Sequence, residues 1–142
     1  MSTTRQAEVW AKIDGANSAT NTVEENLDLY SQWAPSYDLD VTEMRPKGPA
    51  IVAKVLELIF GENKDALILD AGAGTGWVGK AIQKRGFTNL EALDGSQEML
   101  NIANQKGIYK RSICGLLGPN RLDIESGILT QHNVQANLMI LI

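Results

Sequence analysis

The stretch from Leu67 to Gly76 constrains the fold of this chain more than any other. It reads LILDAGAGTG, an apolar run that ends in Asp70 and continues into three glycines at alternate positions. A short apolar run bounded by glycines is typical of a buried strand. Glycine reaches positive φ and lets a ligand approach the backbone closely. The stretch therefore predicts a strand followed by a sharp turn with an accessible backbone.

Helical and strand patterns alternate after residue 47. Apolar spacing and glycine stops predict helices at 48–60, 75–85 and 97–105. Short apolar runs predict strands at 66–69, 90–93 and 109–114. This alternation predicts an α/β fold, a Rossmann-like parallel sheet of about three to four strands with flanking helices. Ligands of such sheets bind beyond the carboxyl ends of the strands, where both Asp70 and Asp94 are expected.

The segment before residue 47 is expected to be helical. An amphipathic helix at 6–13 should end at Gly15, and a helix from Val23 should end near Trp33. The end near Trp33 is expected because Pro35 disfavours the helical conformation of the residue before it. Three aromatic residues lie around this proline and indicate either simple packing or a helical lid over a cofactor: Tyr30, Trp33 and Tyr37.

Length and composition exclude several classes of protein. The 142 residues fit one domain, and a net charge of −4 argues against a partner bound through its phosphate backbone. One cysteine and one histidine exclude an internal disulfide and argue against a metal site. The sequence shows no signal-peptide pattern and no apolar run long enough for a membrane span. We therefore expect an intracellular location, cytoplasmic or nuclear, and no membrane partner, and the composition gives no evidence for a nucleic-acid partner.

Two glycine patterns overlap in the loop. Gly74 to Gly79 satisfies the dinucleotide pattern G-x-G-x-x-G, and Asp94 follows at about the 20-residue distance that this pattern requires. In the dinucleotide pattern, however, the strand runs directly into the first glycine, whereas here Asp70 and three further residues intervene. The strand edge fits D-x-G-x-G-x-G better. A glycine-rich turn without any ligand is the other alternative.

The D-x-G-x-G-x-G pattern suits S-adenosylmethionine, which has no pyrophosphate. Its ammonium group could be held by Asp70 and by carbonyl groups near Gly72. The carboxylate of Asp94 could accept two hydrogen bonds from the ribose hydroxyls. The sequence therefore predicts S-adenosylmethionine as the cofactor.

These residues resemble the first two motifs of class I S-adenosylmethionine-dependent methyltransferases, the second motif being LEALDGSQEML at 90–100. Segments 33–38 and 115–127 make the chain similar to the methyltransferase-like proteins of the Williams–Beuren syndrome chromosome region. The resemblance covers about 24–127 and implies methyl transfer to an acceptor that it does not identify. It implies a cofactor site, without a metal, at Asp70, Gly72, Gly74, Gly76, Asp94, Gly95, Ser96, Tyr30, Trp33, Tyr37 and Lys47.

The resemblance ends at Gly127, so we expect a C-terminally truncated or divergent member of the family. The expected divisions are a polar segment at 1–22, a partial methyltransferase domain at 23–127 and a divergent tail at 128–142. The apolar run 137–142 would either pair as a fourth strand or fray. No residue is predicted as catalytic. The alternative functions are a catalytically inactive cofactor-binding fragment of this family and, less favoured, a fragment of an NAD-binding oxidoreductase.

Overall fold

The computed structural model of the chain describes residues 3–117 and 139–141. The chain divides into two compact units, Met1–Lys47 and Gly48–Ile142. In the described residues the first unit is helical and the second contains a parallel sheet. Gly127 and most of the expected divergent tail lie outside the described residues, and the domain division expected from the sequence stays a prediction.

The helical unit contains α1, Thr3–Ala16, and α2, Val23–Met44. Helix α1 runs one residue past Gly15, where the sequence predicts its end. Helix α2 begins with a capping box that satisfies two amides reciprocally. The Glu25 amide donates to the Thr22 hydroxyl at 3.1 Å, and the Thr22 amide donates to the Glu25 carboxylate at 2.7 Å. This box explains why the helix begins where the sequence predicts.

The expected end of α2 near Trp33 is wrong, because the helix continues through Pro35 to Met44. Proline inside a helix costs about 3 kcal/mol, since it removes a hydrogen bond and crowds the preceding turn. Here Trp33 is buried, and its indole N–H donates to the carboxylate of Asp40 at 2.8 Å. Asp40 lies about two helical turns further along α2. Lys12 of α1 donates to the same carboxylate at 2.7 Å. These contacts join residues on both sides of Pro35 and to α1, and they stabilise the helix that continues past the proline.

The sheet unit alternates helices and strands, as its sequence predicts. The bounds of α3 and α5 agree with the predicted ranges, whereas the strands and α4 differ from them by one or two residues, as is usual for element ends. The elements are α3 Gly48–Phe60, β1 Ile68–Ala71, α4 Trp77–Gln83, β2 Leu90–Asp94, α5 Gln97–Gln105, β3 Arg111–Cys114 and β4 Met139–Leu141.

The four strands in the described part of the chain are all parallel, in the order β3-β2-β1-β4. Of the two alternatives left open for 137–142, the structure shows the strand, since β4 pairs with β1. Asp70 is paired in register with Ala92, and Asp94 with Cys114, so both acids lie near the carboxyl ends of neighbouring strands. The predicted Rossmann-like fold is therefore confirmed.

The core of the sheet unit lies where α3 and α4 cover the first two strands. Ile68 and Leu90 of the strands are fully buried against Leu56, Ile82 and Phe87. Burying large apolar side chains of this kind stabilises by about 1.5–3 kcal/mol each. This packing holds the carboxyl ends of β1 and β2 in place. None of the described helices has both the length and the apolarity of a membrane span.

Candidate functional site

The loop between β1 and α4 has a backbone that requires glycine. Gly72, Gly74 and Gly76 have φ values of 76°, 53° and 91°, a region that L-residues with side chains rarely adopt. A Cβ at Gly72 or Gly74 would meet no heavy atom within 4 Å, so the space beside both residues is open. A Cβ at Gly76 would lie 3.1 Å from Ile108. The first two glycines therefore face space for a ligand, and the third packs closely.

Asp94 ties this loop to the beginning of α5. One of its carboxylate oxygens accepts a hydrogen bond from the Gly74 amide at 2.7 Å, and the other accepts one from the Ser96 amide at 2.8 Å. The Gly72 amide also donates to the carbonyl oxygen of Leu93 at 2.8 Å. Each carboxylate oxygen has a second lone pair, so Asp94 can still accept hydrogen bonds from ligand hydroxyls. Its predicted ribose contact stays a prediction.

Asp70 has a different environment. Its side chain is buried, at 3% exposure, and accepts a hydrogen bond from the Tyr109 hydroxyl at 2.5 Å. Burial raises the pKa of Asp70 above its ordinary value, and the nearby Asp94 raises it further. Hydrogen bonds from Tyr109 and from the Gly79 backbone lower the same pKa without cancelling the effect of burial. The predicted contact of Asp70 with a cofactor ammonium stays a prediction.

Tyr109 is the residue of this site that sequence reasoning missed. The sequence places it in the third strand, but β3 begins at Arg111. Its ring packs beside Gly76, and a Cβ at Gly79 would lie only 2.3 Å from its hydroxyl oxygen. Gly79 lies inside α4, where glycine is unfavourable, and such a glycine often marks the close approach of another group. That signal could have revealed the contact, but not the identity of the partner.

Gly95 and Ser96 belong to the turn between β2 and α5. Ser96 is buried and caps α5, because its hydroxyl accepts a hydrogen bond from the Met99 amide at 3.3 Å. The carbonyl oxygen of Gly95 accepts a weak hydrogen bond from the Cys114 thiol at 3.7 Å. Met99 and Leu100 are buried, as expected for residues that pack on the sheet. The cofactor contacts implied for Gly95 and Ser96 stay predictions.

The remaining candidate residues lie in the helical unit. Tyr30, Trp33 and Tyr37 form an aromatic cluster on α2, with ring centroids 4.7 to 6.5 Å apart. The ring of Trp33 also lies beneath the ammonium of Lys12, at 5.7 Å. Lys47, the last residue of this unit, is exposed. The cluster fits the packing alternative, and the predicted roles of the lid and of Lys47 stay predictions.

The fold and the site define an α/β unit of the kind that binds nucleotide-like cofactors. A glycine loop follows the first strand, an acid ends the second, and the two are hydrogen-bonded at the carboxyl edge of a parallel sheet. Among the described residues, no group of His, Cys, Asp and Glu side chains could hold a metal ion. The open space beside Gly72 and Gly74 and the remaining acceptor capacity of Asp94 fit an organic ligand with hydroxyl groups.

Comparison with known proteins narrows this class. No model of a known protein family matches the chain. The chain is 36% identical over 111 residues to the human "Methyltransferase-like protein 27", an alignment that covers 77% of this chain and 45% of that protein. The chain is thus a relative of methyltransferase-like proteins, and it spans less than half the length of the human protein. Its resemblance to class I S-adenosylmethionine-dependent methyltransferases is confirmed.

Two solved structures also resemble the chain. One is the "DhpI-SAM-HEP complex", with a TM-score of 0.44 and 26% identity over 67% of this chain and 44% of that one. The other is a putative O-methyltransferase from Nostoc punctiforme PCC 73102, with a TM-score of 0.47 and 17% identity over 80% of this chain and 33% of that one. Both TM-scores lie below 0.5, so the assignment depends on the sequence relationship and on the site.

Proposed function

We propose that this chain binds S-adenosylmethionine and contributes to an S-adenosylmethionine-dependent methyltransferase. The observation that carries the proposal is the hydrogen bond of 2.7 Å between the Gly74 amide and the carboxylate of Asp94. It brings the glycine loop and an acid together at the carboxyl edge of the sheet. The 36% identity to a methyltransferase-like protein supports methyl transfer as the reaction.

The described residues fit this cofactor. Open space lies beside Gly72 and Gly74, where the backbone is accessible. Asp94 can accept hydrogen bonds from the ribose hydroxyls, and charge-assisted bonds of this kind are about twice as strong as neutral ones. Asp70 lies close enough to Asp94 for the charge of Asp94 to raise the pKa of Asp70. This local negative charge suits the ammonium end and the sulfonium of the cofactor.

When bound, S-adenosylmethionine would supply an activated methyl group on sulfur. The role proposed for the residues of this chain is to bind and orient the cofactor, which is a large part of catalysis when the transferred group is already activated. No described residue is assigned as a general base, and the methyl acceptor is not assigned. The intracellular location, the truncation and the absence of a membrane partner stay predictions.

Calorimetric titration tests the proposal with S-adenosylhomocysteine, which is the cofactor without its transferable methyl group. We expect binding of S-adenosylhomocysteine and no binding of NAD. Asp94→Ala should weaken the binding by about 1–3 kcal/mol, since it removes a charged hydrogen-bond acceptor. The matched control is Asp65→Ala, at an exposed position just before β1, which should change the affinity by less than about 0.5 kcal/mol.

Each outcome of the titration separates two functions. Binding of NAD instead would favour the oxidoreductase alternative, and binding of neither ligand would contradict the proposal. Transfer of tritium from labelled S-adenosylmethionine to components of a lysate then tests catalysis. Binding without transfer would indicate a cofactor-binding fragment that is not itself an enzyme.

A further inference from the structure

The turn between α5 and β3 contacts the glycine loop through two side chains. The ammonium of Lys106 donates a hydrogen bond to the carbonyl oxygen of Thr75 at 2.6 Å. The hydroxyl of Tyr109 donates one to the carboxylate of Asp70 at 2.5 Å. Asp70 lies in β1, two residues before Gly72, and Thr75 lies just before the last glycine. The two contacts therefore hold the strand end from which the loop starts and the last part of the loop.

The side chain of Tyr109 fills space that is open only because positions 76 and 79 are glycines. A Cβ at Gly76 would lie 3.3 Å from its ring, and a Cβ at Gly79 would lie 2.3 Å from its hydroxyl oxygen. The ring also packs against the buried side chains of Ala92 and Leu100, which hold it from the sheet and from α5. The position of the hydroxyl beside Asp70 is thus determined by packing on several sides.

Building on the proposed function, we propose that Lys106 and Tyr109 are positioning residues that hold the glycine loop in the conformation that binds the cofactor. A loop with three glycines at positive φ can adopt many other conformations when nothing restrains it. These two hydrogen bonds reduce the entropy that the loop would lose on binding, and such preorganisation raises affinity. Neither residue needs to contact the cofactor for this effect.

The proposal predicts which part of the ligand loses affinity. In the proposed site the glycine loop meets the amino-acid end of the cofactor, whereas Asp94 binds the ribose. Asp94 accepts one amide hydrogen bond from Gly74 of the loop and another from Ser96, and the bond from Ser96 does not depend on Lys106 or Tyr109. A ligand that lacks the amino-acid end, 5′-methylthioadenosine, should therefore depend little on the two positioning residues.

The experiment compares Tyr109→Phe and Lys106→Met in calorimetric titrations of the full chain. Phenylalanine keeps the packed ring and removes only the hydroxyl. Each variant should weaken S-adenosylhomocysteine about 3- to 10-fold, as expected for one lost hydrogen bond, and 5′-methylthioadenosine less than about 2-fold. Lys106→Arg keeps a donor and should restore most of the affinity. Without ligand, hydrogen–deuterium exchange at 72–76 should be faster in Tyr109→Phe.

The matched control is Lys110→Met, four residues along the same turn. The Lys110 ammonium donates to the side chain of Asn89 at an exposed position, not to the loop. This variant should leave both affinities within about 2-fold of the original.

Three results would overturn the inference. The first is unchanged affinity for S-adenosylhomocysteine in both variants. The second is equal weakening of both ligands, which would mean a general structural role. The third is an original chain that binds neither ligand, which alone would overturn the proposed function as well.

Discussion

Two aspartates, one in each unit, have almost the same low exposure to solvent and opposite environments. Asp40 of the helical unit is 4% exposed, and Asp70 of the sheet unit is 3% exposed. Asp40 accepts hydrogen bonds from Lys12 and from the indole of Trp33, whereas Asp70 accepts one from the neutral hydroxyl of Tyr109. Low exposure alone therefore does not decide how a carboxylate behaves, because Asp40 lies beside cations whereas Asp70 is more deeply desolvated and lies beside a neutral hydroxyl.

The pKa shifts of the two acids follow from these partners. Burial would raise the pKa of Asp40, but hydrogen bonds from Lys12 and Trp33, with the charge of Lys12, outweigh it and the pKa is lowered. Burial raises the pKa of Asp70, and its neutral donors do not compensate. Asp40 thus stabilises its unit as an ion, whereas ionised Asp70 costs stability. In the proposed function, the cationic cofactor would supply the positive charge that Asp70 lacks.

The largest expected difference in stability between the two units comes from adding one methyl group to a glycine of each unit. Gly79→Ala places a Cβ 2.3 Å from the Tyr109 hydroxyl oxygen, and we expect it to destabilise the sheet unit by about 1–3 kcal/mol. Gly15→Ala in α1 meets nothing within 4 Å and should stabilise the helical unit by about 0.5–1 kcal/mol, because alanine favours helix. Hydrogen–deuterium exchange reports both units at once. Similar effects of the two substitutions would contradict the close packing assigned to Tyr109.

A second comparison removes the charge of each buried acid. Asp40→Asn should destabilise the helical unit by about 1–2 kcal/mol at pH 7, since it weakens charged hydrogen bonds from Lys12. Asp70→Asn should change the stability of the sheet unit by less than about 0.5 kcal/mol or raise it, because ionised Asp70 is already unfavourable there. Denaturant unfolding with exchange measurements in each unit checks both values. A larger loss for Asp70→Asn would remove the contrast between the acids.

The smallest expected effect is a difference between the two units in how stability depends on pH. The dividing point is pH 3.8, the ordinary pKa of an aspartate. The pKa of Asp40 is lowered in the folded state, so its stabilising contribution is present above pH 3.8 and is lost as the pH falls through its folded pKa. The pKa of Asp70 is raised, so its contribution is present below pH 3.8 and is lost as the pH rises through its folded pKa.

Thermal unfolding and hydrogen exchange from pH 2.5 to pH 7 would test this contrast. The groups that face Asp40 are Lys12, Arg5, Trp33 and Ser36, and those that face Asp70 are Tyr109, the Gly79 amide and Asp94. Asp70→Asn should reduce the change of stability with pH of the sheet unit above pH 3.8. Asp40→Asn should reduce the corresponding change of the helical unit below pH 3.8. Parallel pH profiles of the two units in the original chain would show that the partners do not differ as described.

Much of the sheet unit could be predicted because its signals are local. The ranges of α3 and α5 follow from apolar spacing, from Ser96 as a cap and from glycine stops. The alternation of elements predicts a parallel sheet, and alternating glycines predict the turn that the φ values confirm. The position of Asp94 at the end of β2 follows from the same pattern.

The failures all involve contacts between distant residues. Pro35 predicts the end of a helix, but Trp33 and Lys12 bind Asp40 and hold the helix together. The partner of Asp70 is Tyr109, 39 residues further along the chain. Local propensity carries no information about such partners, because they meet only after the elements of each unit have packed.

The sequence by itself determined the order of the elements, the bend after β1 and the placement of Asp70 and Asp94 at neighbouring strand ends. It could do so because backbone freedom and apolar spacing act over a few residues. Only the tertiary structure decided which acid is paired with a cation and which with a hydroxyl. That choice depends on which side chains packing brings within hydrogen-bond distance, and packing is a property of the whole fold.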